Sequence, residues 1–360
     1  MALSETEWRW TLRIIDANLN RAGEGLRLLE EIARFRLNDA ALTQQLKTLR
    51  HELIIGDSSF HQQLLQSRKS ENDVGVDIEV LGEEKERELS SALVANARRV
   101  QESLRVLEEL AKAPGATTKL DSEKFKHARF NLYSIEQKLL SKLLCQDKLE
   151  RIFGLYVIID TEALKGRSHV EVASQAIGGG ARTIQLRDKV QSKERLLSTA
   201  QELKAVCAEQ DVLFMVNDYL DIALATDADG LHVGQDDLPV PVARKLLPLG
   251  KILGCSTTTV EQATKAQSKG ADYIAVGAMY PTSSKTSTTT PAKVVGLERL
   301  RQIRQAISLP LVAIGGITRD SAAEVIAAGT DAVAVISAVV GAASPKEAAR
   351  QIAAKLETQK

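Results

Sequence analysis

Charged side chains recur where short apolar runs end in the C-terminal half of the sequence. Three of them are cations that can hold oxyanions, Arg187 as a bidentate fork and Lys189 and Lys285 as point charges. Asp218 and Asp237 are carboxylates, and Mg²⁺ in proteins usually takes one or two carboxylates together with phosphate oxygens. These residue types together predict a site for Mg²⁺ and a diphosphate.

Lys285 lies in the unusual stretch MYPTSSKTSTTTP, which runs from Met279 to Pro291. So many hydroxyls could form a flexible linker, or a loop that closes over an anion around its single lysine. The residues of the stretch alone leave both alternatives open.

The elements that must position these side chains are short β-branched runs that alternate with helical spacing after residue 151. Eight runs can be read, beginning at Leu155, Arg182, Val212, Gly230, Lys251, Tyr273, Pro310 and Ala332. Eight strands and intervening helices in about 210 residues predict an α/β fold, a (β/α)8 barrel with its site at the carboxyl ends of the strands. A doubly wound sheet lacks its fingerprint, since no GxGxxG opens a helix after the first strand.

Seven strand ends should then face one mouth of the barrel. Candidate residues at all seven ends together are stronger evidence for a site than any one of these residues alone. The turns Gly315-Gly316 and Ile336-Ser337 follow strands seven and eight, where backbone N–H groups of barrel enzymes commonly bind a phosphate. Taken singly, a loop aspartate is usually just solvated and Gly-Gly is more often a turn. We place Asp188 and Asp236 in the solvated class, and His232, within its strand, is predicted as a structural hydrogen-bonding group rather than a catalyst.

Composition limits the class of protein. The 360 residues are 44% hydrophobic, which suffices for one large or two ordinary domains. Lysine plus arginine equals aspartate plus glutamate at 47 each, so no global charge predicts a nucleic-acid or membrane partner. The N-terminus lacks the pattern of a leader, and we expect a cytoplasmic protein. Cys145, Cys207 and Cys255 have no CxxC spacing, which argues against disulfides and a zinc cluster.

The N-terminal half has helical periodicity and an internal duplication. Residues 17–33, ANLNRAGEGLRLLEEIA, recur as residues 95–111, ANARRVQESLRVLEELA, and each copy precedes a second amphipathic helix. Two helix pairs joined by the polar connection QSRKSENDVGVDI predict an all-α bundle. The change of periodicity predicts two domains, residues 1–148 and 151–360, joined near Cys145 to Arg151.

The segments QLRDK, ND, GLHVGQDD, GCST, YPTSSK, AIGGI and VISAV, in this order, resemble the thiamine phosphate synthase family. That family joins hydroxymethylpyrimidine diphosphate to thiazole phosphate and releases diphosphate. The resemblance implies that Gln185 orients the aminopyrimidine, that Asp218 and Asp237 bind Mg²⁺, and that Ser256 lies against the diphosphate or the reacting centre. It implies that the diphosphate is held by Arg187, Lys189, Asn217 and Lys285. It implies that the thiazole phosphate is bound by Thr282, Ser284, Gly316, Ile336 and Ser337.

This chemistry agrees with the residue types. A benzylic-type carbon separates from diphosphate when the leaving oxygens are neutralised, so positioning and electrostatics can supply the catalysis without a general base. The hydroxyl-rich stretch is then predicted as a flap over both phosphates that excludes water. Two alternatives are a thiazole tautomerase, which shares the fold but needs no Mg²⁺ or diphosphate ligands, and a non-catalytic sensor of phosphorylated ligands.

The helical half resembles the ThiD2 family, for which the resemblance implies hydroxymethylpyrimidine phosphate kinase activity. Without a P-loop, no residue of this half indicates a kinase. Asn18, Arg21, Glu24, Arg27 and their repeat partners could line a polar groove or form a solvated face with ion pairs worth about 0.2 to 0.5 kcal/mol each. The loop from Arg68 to Gly75 could bind phosphate, but we favour a simple connection. The expected partners are the two small phosphorylated substrates, and the oligomeric state stays open.

Overall fold

The computed structural model describes residues 4–53, 57–68, 88–113, 120–282 and 294–357. The chain divides into two compact units, Met1–Leu144 and Cys145–Lys360. The first is helical and the second contains a closed eight-stranded parallel barrel, so the predicted fold class is confirmed.

The helical unit is built from capped amphipathic helices. Ser4 and Glu7 form a capping box at the first helix, and the side chains of Asp39 and Asp57 cap the second and third. The third helix is additional to the two predicted pairs. The helices are α1 (Glu5–Glu31), which continues as a π-helical turn (Ile32–Arg36), α2 (Ala40–Glu52), α3 (Ser58–Ser67), α4 (Leu89–Leu110) and α5 (Ser122–Leu149).

The two copies of the repeat, on α1 and α4, pack against each other. A Cβ added at Gly25 would overlap the Val100 side chain, so glycine allows the helices to approach closely. Asn18 and Asn96 occupy equivalent positions, and each side-chain amide donates to the carbonyl four residues earlier, at 2.8 and 2.9 Å. The duplicated sequence therefore has duplicated local structure.

The duplication extends into the second helix of each pair. Glu30 and its repeat partner Glu108 are both buried charged residues. Arg50 on α2 pairs with Glu30 at 2.9 Å, and Arg129 on α5 pairs with Glu108 at 2.8 Å. A buried carboxylate needs such a partner, and removing one side of a buried pair typically costs about 3 to 5 kcal/mol. Each repeat thus consists of two helices joined by one buried ion pair.

The barrel strands follow one another in chain order around the closed sheet. Its strands are β1 (Gly154–Asp160), β2 (Ala181–Arg187), β3 (Leu213–Asn217), β4 (Gly230–Val233), β5 (Ile252–Thr257), β6 (Tyr273–Gly277), β7 (Leu311–Ile314) and β8 (Ala332–Val335). Its helices are α6 (Thr161–Leu164), α7 (His169–Gly178), α8 (Lys193–Glu209), α9 (Leu220–Ala225), α10 (Val240–Leu246), α11 (Val260–Ser268), α12 (Gly296–Ala306), α13 (Ala322–Ala327), α14 (Ser337–Val340) and α15 (Pro345–Glu357).

Alternate residues of each strand enter different cores. On β1, Val157 and Ile159 belong to the core between strands and helices, whereas Tyr156 and Ile158 belong to the core inside the barrel. Because strands of a parallel barrel are covered on both faces, their sequences read as continuous apolar runs. A polar residue within such a run is therefore buried in the barrel and needs a partner there.

We predict that the barrel unit folds without the helical unit, because each unit has its own hydrophobic core. Lys148 donates to the Gly250 carbonyl at 3.0 Å and pairs with Asp229 at 3.4 Å, so the test fragment should begin at Cys145. Its cooperative melting temperature should lie within about 4 °C of that of the full chain. A fragment without a cooperative transition would contradict independent folding.

Candidate active site

The two carboxylates predicted to hold Mg²⁺ meet at the carboxyl ends of β3 and β4, where Asp218 and Asp237 share a hydrogen bond. Burial, together with Asp237, raises the pKa of Asp218 to about 6. Burial also opposes ionisation of Asp237, but its hydrogen bonds with Asp218 and with the Gly234 N–H, at 2.8 Å, hold its pKa below the ordinary value. Two adjacent carboxyl groups that oppose each other's ionisation suit a hard cation, so the donor set fits Mg²⁺.

The backbone at Asp218 has a special conformation. Its φ of 62° lies in the left-handed region, which aspartate and asparagine tolerate better than other non-glycine residues. Its N–H donates to the His232 carbonyl of the neighbouring strand at 2.8 Å. The turn after β3 therefore directs this carboxylate toward the end of β4.

Lys189 donates to the Asp218 carboxylate. Burial acts to lower the pKa of Lys189, but the hydrogen bond and the charge of Asp218 raise it above the ordinary value. The ammonium group is therefore charged beside the carboxylate pair. The structure brings together three of the predicted residues, Lys189, Asp218 and Asp237.

Arg187, the last residue of β2, pairs with Asp160, the last residue of β1. Asp160 is buried, and its other oxygen accepts from the Ala163 N–H at 3.0 Å, which caps α6. One carboxylate thus fixes both a helix start and the guanidinium. Only Nη1 of Arg187 takes part in this pair, which leaves further N–H donors of the fork for an oxyanion. The sequence prediction did not identify Asp160.

The assignment of Asp188 to the solvated class is wrong. Asp188 is only 3% exposed, and it accepts hydrogen bonds from the Val190 and Gln191 N–H groups, both at 2.8 Å. Its other oxygen accepts from the Thr161 hydroxyl at 2.6 Å. This carboxylate closes a local turn, and it fixes the backbone on either side of Lys189. Asp236, by contrast, is exposed as predicted.

Inside the barrel, below the strand ends, five polar side chains form a continuous series of hydrogen bonds. Gln185 Nε2 donates to Tyr156 Oη at 3.1 Å, and that hydroxyl lies 3.1 Å from Tyr273 Oη. Tyr273 Oη lies 2.8 Å from His232 Nδ1, and His232 Nε2 lies 2.8 Å from Ser256 Oγ. His232 therefore bonds through both ring nitrogens within its strand, as the structural assignment predicted, and it also contacts the predicted site residue Ser256.

Sequence reasoning missed both tyrosines because each lies in an apolar run. One signal could have indicated Tyr273, namely the glycine in the middle of β5. A Cβ at Gly254 would overlap the Tyr273 ring, so this glycine leaves the space that the ring occupies.

The hydroxyl-rich stretch begins against the end of β7. The Tyr280 N–H donates to the Gly315 carbonyl at 3.0 Å. Gly316 has a φ of 68°, and a Cβ there would approach the Pro281 carbonyl oxygen to 2.7 Å. The Gly-Gly turn thus has a clear packing role, while its phosphate contact stays a prediction.

The described residues that flank this stretch lie next to each other. Thr282 is described, whereas Ser284 and Lys285 lie outside the described residues. Where the description resumes, the Val295 N–H donates to the Ala278 carbonyl at 2.7 Å, next to the start of the stretch. The predicted position of Lys285 over the mouth stays a prediction.

The remaining predicted residues lie at strand ends. Asn217 is the last residue of β3, and Ser337 begins the short helix α14 directly after β8. The Ile336 carbonyl accepts from the Val340 N–H at 2.8 Å, which starts that helix. The structure places these residues at the predicted strand ends.

In the helical unit the predicted polar residues separate into two groups. Arg21, Glu24 and their repeat partners Arg99 and Glu102 are exposed, which fits the solvated-face alternative. Asn18 is buried and does not belong to that face.

Arg68 forms a two-point ion pair with Asp16, at 2.6 and 3.0 Å, at the end of α3. This contact gives Arg68 a structural role. The rest of the loop to Gly75 lies outside the described residues.

In the described part of the chain we also looked for a further metal site, a reactive thiol and a membrane-spanning helix. No group there of three or more His, Cys, Asp or Glu side chains could hold a metal ion. Burial raises the pKa of Cys145 and Cys207 to about 12 and that of Cys255 to about 11, so these thiols are not ready nucleophiles. Over the same residues, no helix has the length and apolar character to span a membrane.

The chain matches the family model described as thiamine monophosphate synthase over residues 155–339, and the ThiD2 family over residues 13–138. A thiamine-phosphate synthase from Thermosynechococcus vestitus is 39% identical over 96% of this chain and 94% of the relative. A thiamine-phosphate synthase from Moorella thermoacetica is 50% identical over 56% of this chain and 94% of the relative. The solved thiamine phosphate pyrophosphorylase from Pyrococcus furiosus is 39% identical, covers 59% of this chain and 98% of its own, and superposes with a TM-score of 0.54.

Proposed function

The chain belongs to the thiamine-phosphate synthase family, a family of transferases, and from that premise we propose that its barrel joins hydroxymethylpyrimidine diphosphate to thiazole phosphate. The products are thiamine phosphate and diphosphate. The observation that best supports this reaction is the Asp218–Asp237 pair with Lys189 bonded to it. A tautomerase acting on a monophosphate would have no use for this combination of cation and paired carboxylates.

The chain's own residues act on the departing diphosphate. The bond between the pyrimidine methylene carbon and the diphosphate oxygen breaks, and its electron pair stays on that oxygen. Arg187, Lys189, Asn217 and Lys285 hold the diphosphate and stabilise this growing charge. The thiazole nitrogen then supplies the electron pair for the new bond, so no described side chain has to act as a nucleophile.

Asp218 and Asp237 would hold Mg²⁺, which when bound neutralises phosphate oxygens. The raised pKa of Asp218 favours its protonated form in the metal-free protein, and a proton on Asp218 must leave before both carboxylates can act as ligands. Lys189 compensates one of the two negative charges. With both carboxylates ionised, the three groups keep one net negative charge, which favours a cation.

The acceptor substrate binds on the opposite side of the mouth. Gly316, Ile336 and Ser337 follow β7 and β8, and Thr282 follows β6, so these residues are positioned to bind the thiazole phosphate together with Ser284. Gln185 orients the aminopyrimidine, and Ser256 lies against the diphosphate or the reacting centre. Two phosphorylated substrates would thus meet between strand ends from opposite sides of one barrel.

Turnover distinguishes the candidate functions. The full chain should form thiamine phosphate from the two phosphorylated substrates only when Mg²⁺ is present, and release of diphosphate should match product formation. A tautomerase would convert a thiazole phosphate without needing the pyrimidine. A sensor would bind one or both ligands, as seen by calorimetry, and give no product. Either result would contradict the proposed condensation.

We predict that Lys285→Ala lowers the rate of condensation more than it weakens binding of the thiazole phosphate. A cation at the leaving group acts mostly as the bond breaks, so kcat should fall by roughly 100-fold. Changing Thr288, Thr289 and Thr290 together to alanine is the matched control and should matter far less. An equal loss in the control would place the important contacts in the other half of the stretch, and no loss in either variant would indicate a linker.

For the helical unit we propose hydroxymethylpyrimidine phosphate kinase activity, which the ThiD2 match supports. A cavity of about 400 Å³ on this unit is lined by the cations Arg34 and Lys47, which could contact phosphate groups. Two carboxylates, Glu30 and Asp39, line it as well, but they are paired with Arg50 and Lys142. In the full chain with ATP, Arg34→Ala and Lys47→Ala should each reduce phosphorylation of the pyrimidine monophosphate. Condensation by the barrel should not change. Absence of phosphorylation in the unaltered chain would contradict the assignment.

A further inference from the structure

We propose that the buried series of side chains inside the barrel is one directional hydrogen-bond chain, in which one end accepts a hydrogen bond from the ligand and the other end donates one. This arrangement selects an aminopyrimidine. We call it the barrel chain; its members are Gln185, Tyr156, Tyr273, His232 and Ser256. The inference rests on the proposed condensation and concerns how its pyrimidine is recognised. Tyr156, Tyr273 and His232 are positioning residues, because they act through the two ends.

The direction of every link follows from the first one. Gln185 uses its Nε2 to donate to Tyr156, and an amide nitrogen cannot accept. The Tyr156 hydroxyl has one proton, and among the described residues its other partner is Tyr273, so that proton points to Tyr273. Tyr273 in turn has His232 Nδ1 as its remaining partner and donates to it. A neutral imidazole that accepts at Nδ1 carries its proton on Nε2.

That Nε2–H donates to the Ser256 oxygen, 2.8 Å away. The hydroxyl proton of Ser256 is thereby directed away from the imidazole and can be donated to a ligand. At the other end, the Gln185 amide turns its nitrogen toward Tyr156 and uses one N–H there, and its carbonyl oxygen is the group that can accept from a ligand. One end of the barrel chain therefore accepts while the other donates.

Burial keeps the tyrosine links in place over the working pH range. Burial raises the pKa of both Tyr156 and Tyr273 well above the ordinary value for tyrosine. Each hydroxyl keeps its proton, and each has exactly one to give. A buried polar series of this kind is favourable only when every member is bonded, so the links change direction together or not at all.

Turning the Gln185 amide would reverse the whole series. Its carbonyl oxygen would accept from Tyr156, the histidine proton would move to Nδ1, and Ser256 would donate to His232 instead of to the ligand. An amino group on the pyrimidine needs an acceptor at Gln185 and so keeps Ser256 as a donor toward the ligand. An oxo group in its place needs a donor at Gln185, and Ser256 then has no proton left for the ligand.

The barrel chain thus couples rejection of the oxo group at Gln185 to loss of a hydrogen bond at Ser256. The neighbouring strand β5 leaves room for one member of the barrel chain, because the absence of a side chain at Gly254 provides the volume that the Tyr273 ring occupies. Ring contacts hold the same geometry, with His232 and Tyr273 tilted by 32° at a centroid distance of 5.5 Å.

Removing one hydroxyl should uncouple the ends. In full-length Tyr273→Phe, the ratio of kcat/KM for the 4-amino pyrimidine diphosphate to that for its 4-oxo analogue should fall by about tenfold or more. Tyr156→Phe breaks the same series one link earlier and should give the same fall. KM for thiazole phosphate should stay within about twofold, because the residues proposed to bind its phosphate, after β6, β7 and β8, are not members of the barrel chain. Tyr133→Phe, in the helical unit, should leave the ratio unchanged.

A spectroscopic test needs no turnover. With ¹⁵N-labelled histidine, His232 in the unaltered chain should show the Nε2–H tautomer, and its signal can be assigned among the five histidines by its loss in His232→Gln. Tyr273→Phe should give a mixture of tautomers. An unchanged tautomer together with an unchanged amino-to-oxo ratio in both phenylalanine variants would overturn the inference. If the unaltered chain turns over neither pyrimidine, the proposed condensation fails, and the tautomer spectra alone decide whether the barrel chain is directional.

Discussion

Replacing Asp218 by asparagine should lower kcat for the condensation by roughly a thousandfold, and Asp237→Asn should have an effect of the same order. Each change removes one charge from the carboxylate pair, so the departing diphosphate would leave with its own charge poorly neutralised. Binding of the thiazole phosphate should change little, because its predicted contacts lie beyond β6, β7 and β8. Steady-state kinetics and a titration with each substrate measure the two effects separately.

Asparagine is a better test than alanine at position 218. The φ of 62° suits aspartate and asparagine, whereas alanine would add strain of about 1 kcal/mol or more to the loss of the carboxylate. Asp236→Asn is the matched control, since Asp236 is an exposed neighbour in the same loop. Equal weakening of both substrates in Asp218→Asn would indicate collapse of the mouth, and full activity of both variants would contradict a metal site here.

The raised pKa of Asp218 fixes the sign of a stability effect. Since the folded protein favours the protonated form, the stabilising contribution of this group is present at low pH and is lost as the pH rises through about 6. Asparagine cannot ionise, so Asp218→Asn should raise the melting temperature of the metal-free protein at about pH 8 and have little effect at about pH 4. A variant that loses activity but gains stability would show that the ionised carboxylate destabilises the metal-free protein.

The repeating architecture of the barrel could be predicted because its signal is local. All eight β-branched runs became strands, with the predicted Arg187 and Asn217 at strand ends and the predicted Gln185 and Ser256 one or two residues before them. The partners of these residues could not be predicted in the same way. Asp160 pairs with Arg187 only because β1 and β2 lie side by side with those two residues in register, and register is a property of the folded sheet.

Burial of polar groups explains the other differences. Asp188 looked like a solvated loop residue, but its carboxylate closes a turn and binds Thr161, which lies 27 residues earlier in the chain. Tyr156 and Tyr273 looked apolar because their rings fit an apolar run. Their hydroxyls acquire a role only when the closed sheet brings β1 and β6 to face each other across the barrel.

In the helical half, the repeat and the amphipathic spacing predicted both pairs of helices, but they did not predict the ion pairs between the helices of each pair. The segments around Arg50 and Arg129 share few letters, yet each arginine binds the buried glutamate of its own repeat. The two repeats therefore have the same buried ion pair in the folded structure, although the sequences around the two arginines do not match.

Replacing Arg187 by alanine should lower kcat/KM for the pyrimidine diphosphate by roughly 100- to 1000-fold, because a bidentate donor to the leaving oxygens would be lost. Arg187→Lys should recover little of this, since an ammonium group cannot reproduce the planar fork. Arg182→Ala is the matched control on the same strand, where the side chain is exposed and stacks on Phe153. Its kinetics should equal those of the unaltered chain.

Asp160→Asn tests the orientation of the Arg187 guanidinium while leaving the arginine in place. The asparagine oxygen can still accept from the Ala163 N–H and cap α6, so the fold should persist, but Arg187 would lose its ionic partner. We expect kcat to fall by about tenfold, as for other residues that orient a ligand-binding group. KM for the pyrimidine diphosphate should not rise, and inhibition by free diphosphate should become tighter, because removing the carboxylate leaves the arginine charge uncompensated. A rise in KM with unchanged kcat would show instead that Asp160 assists substrate binding alone and that the orientation of Arg187 is not what limits the reaction.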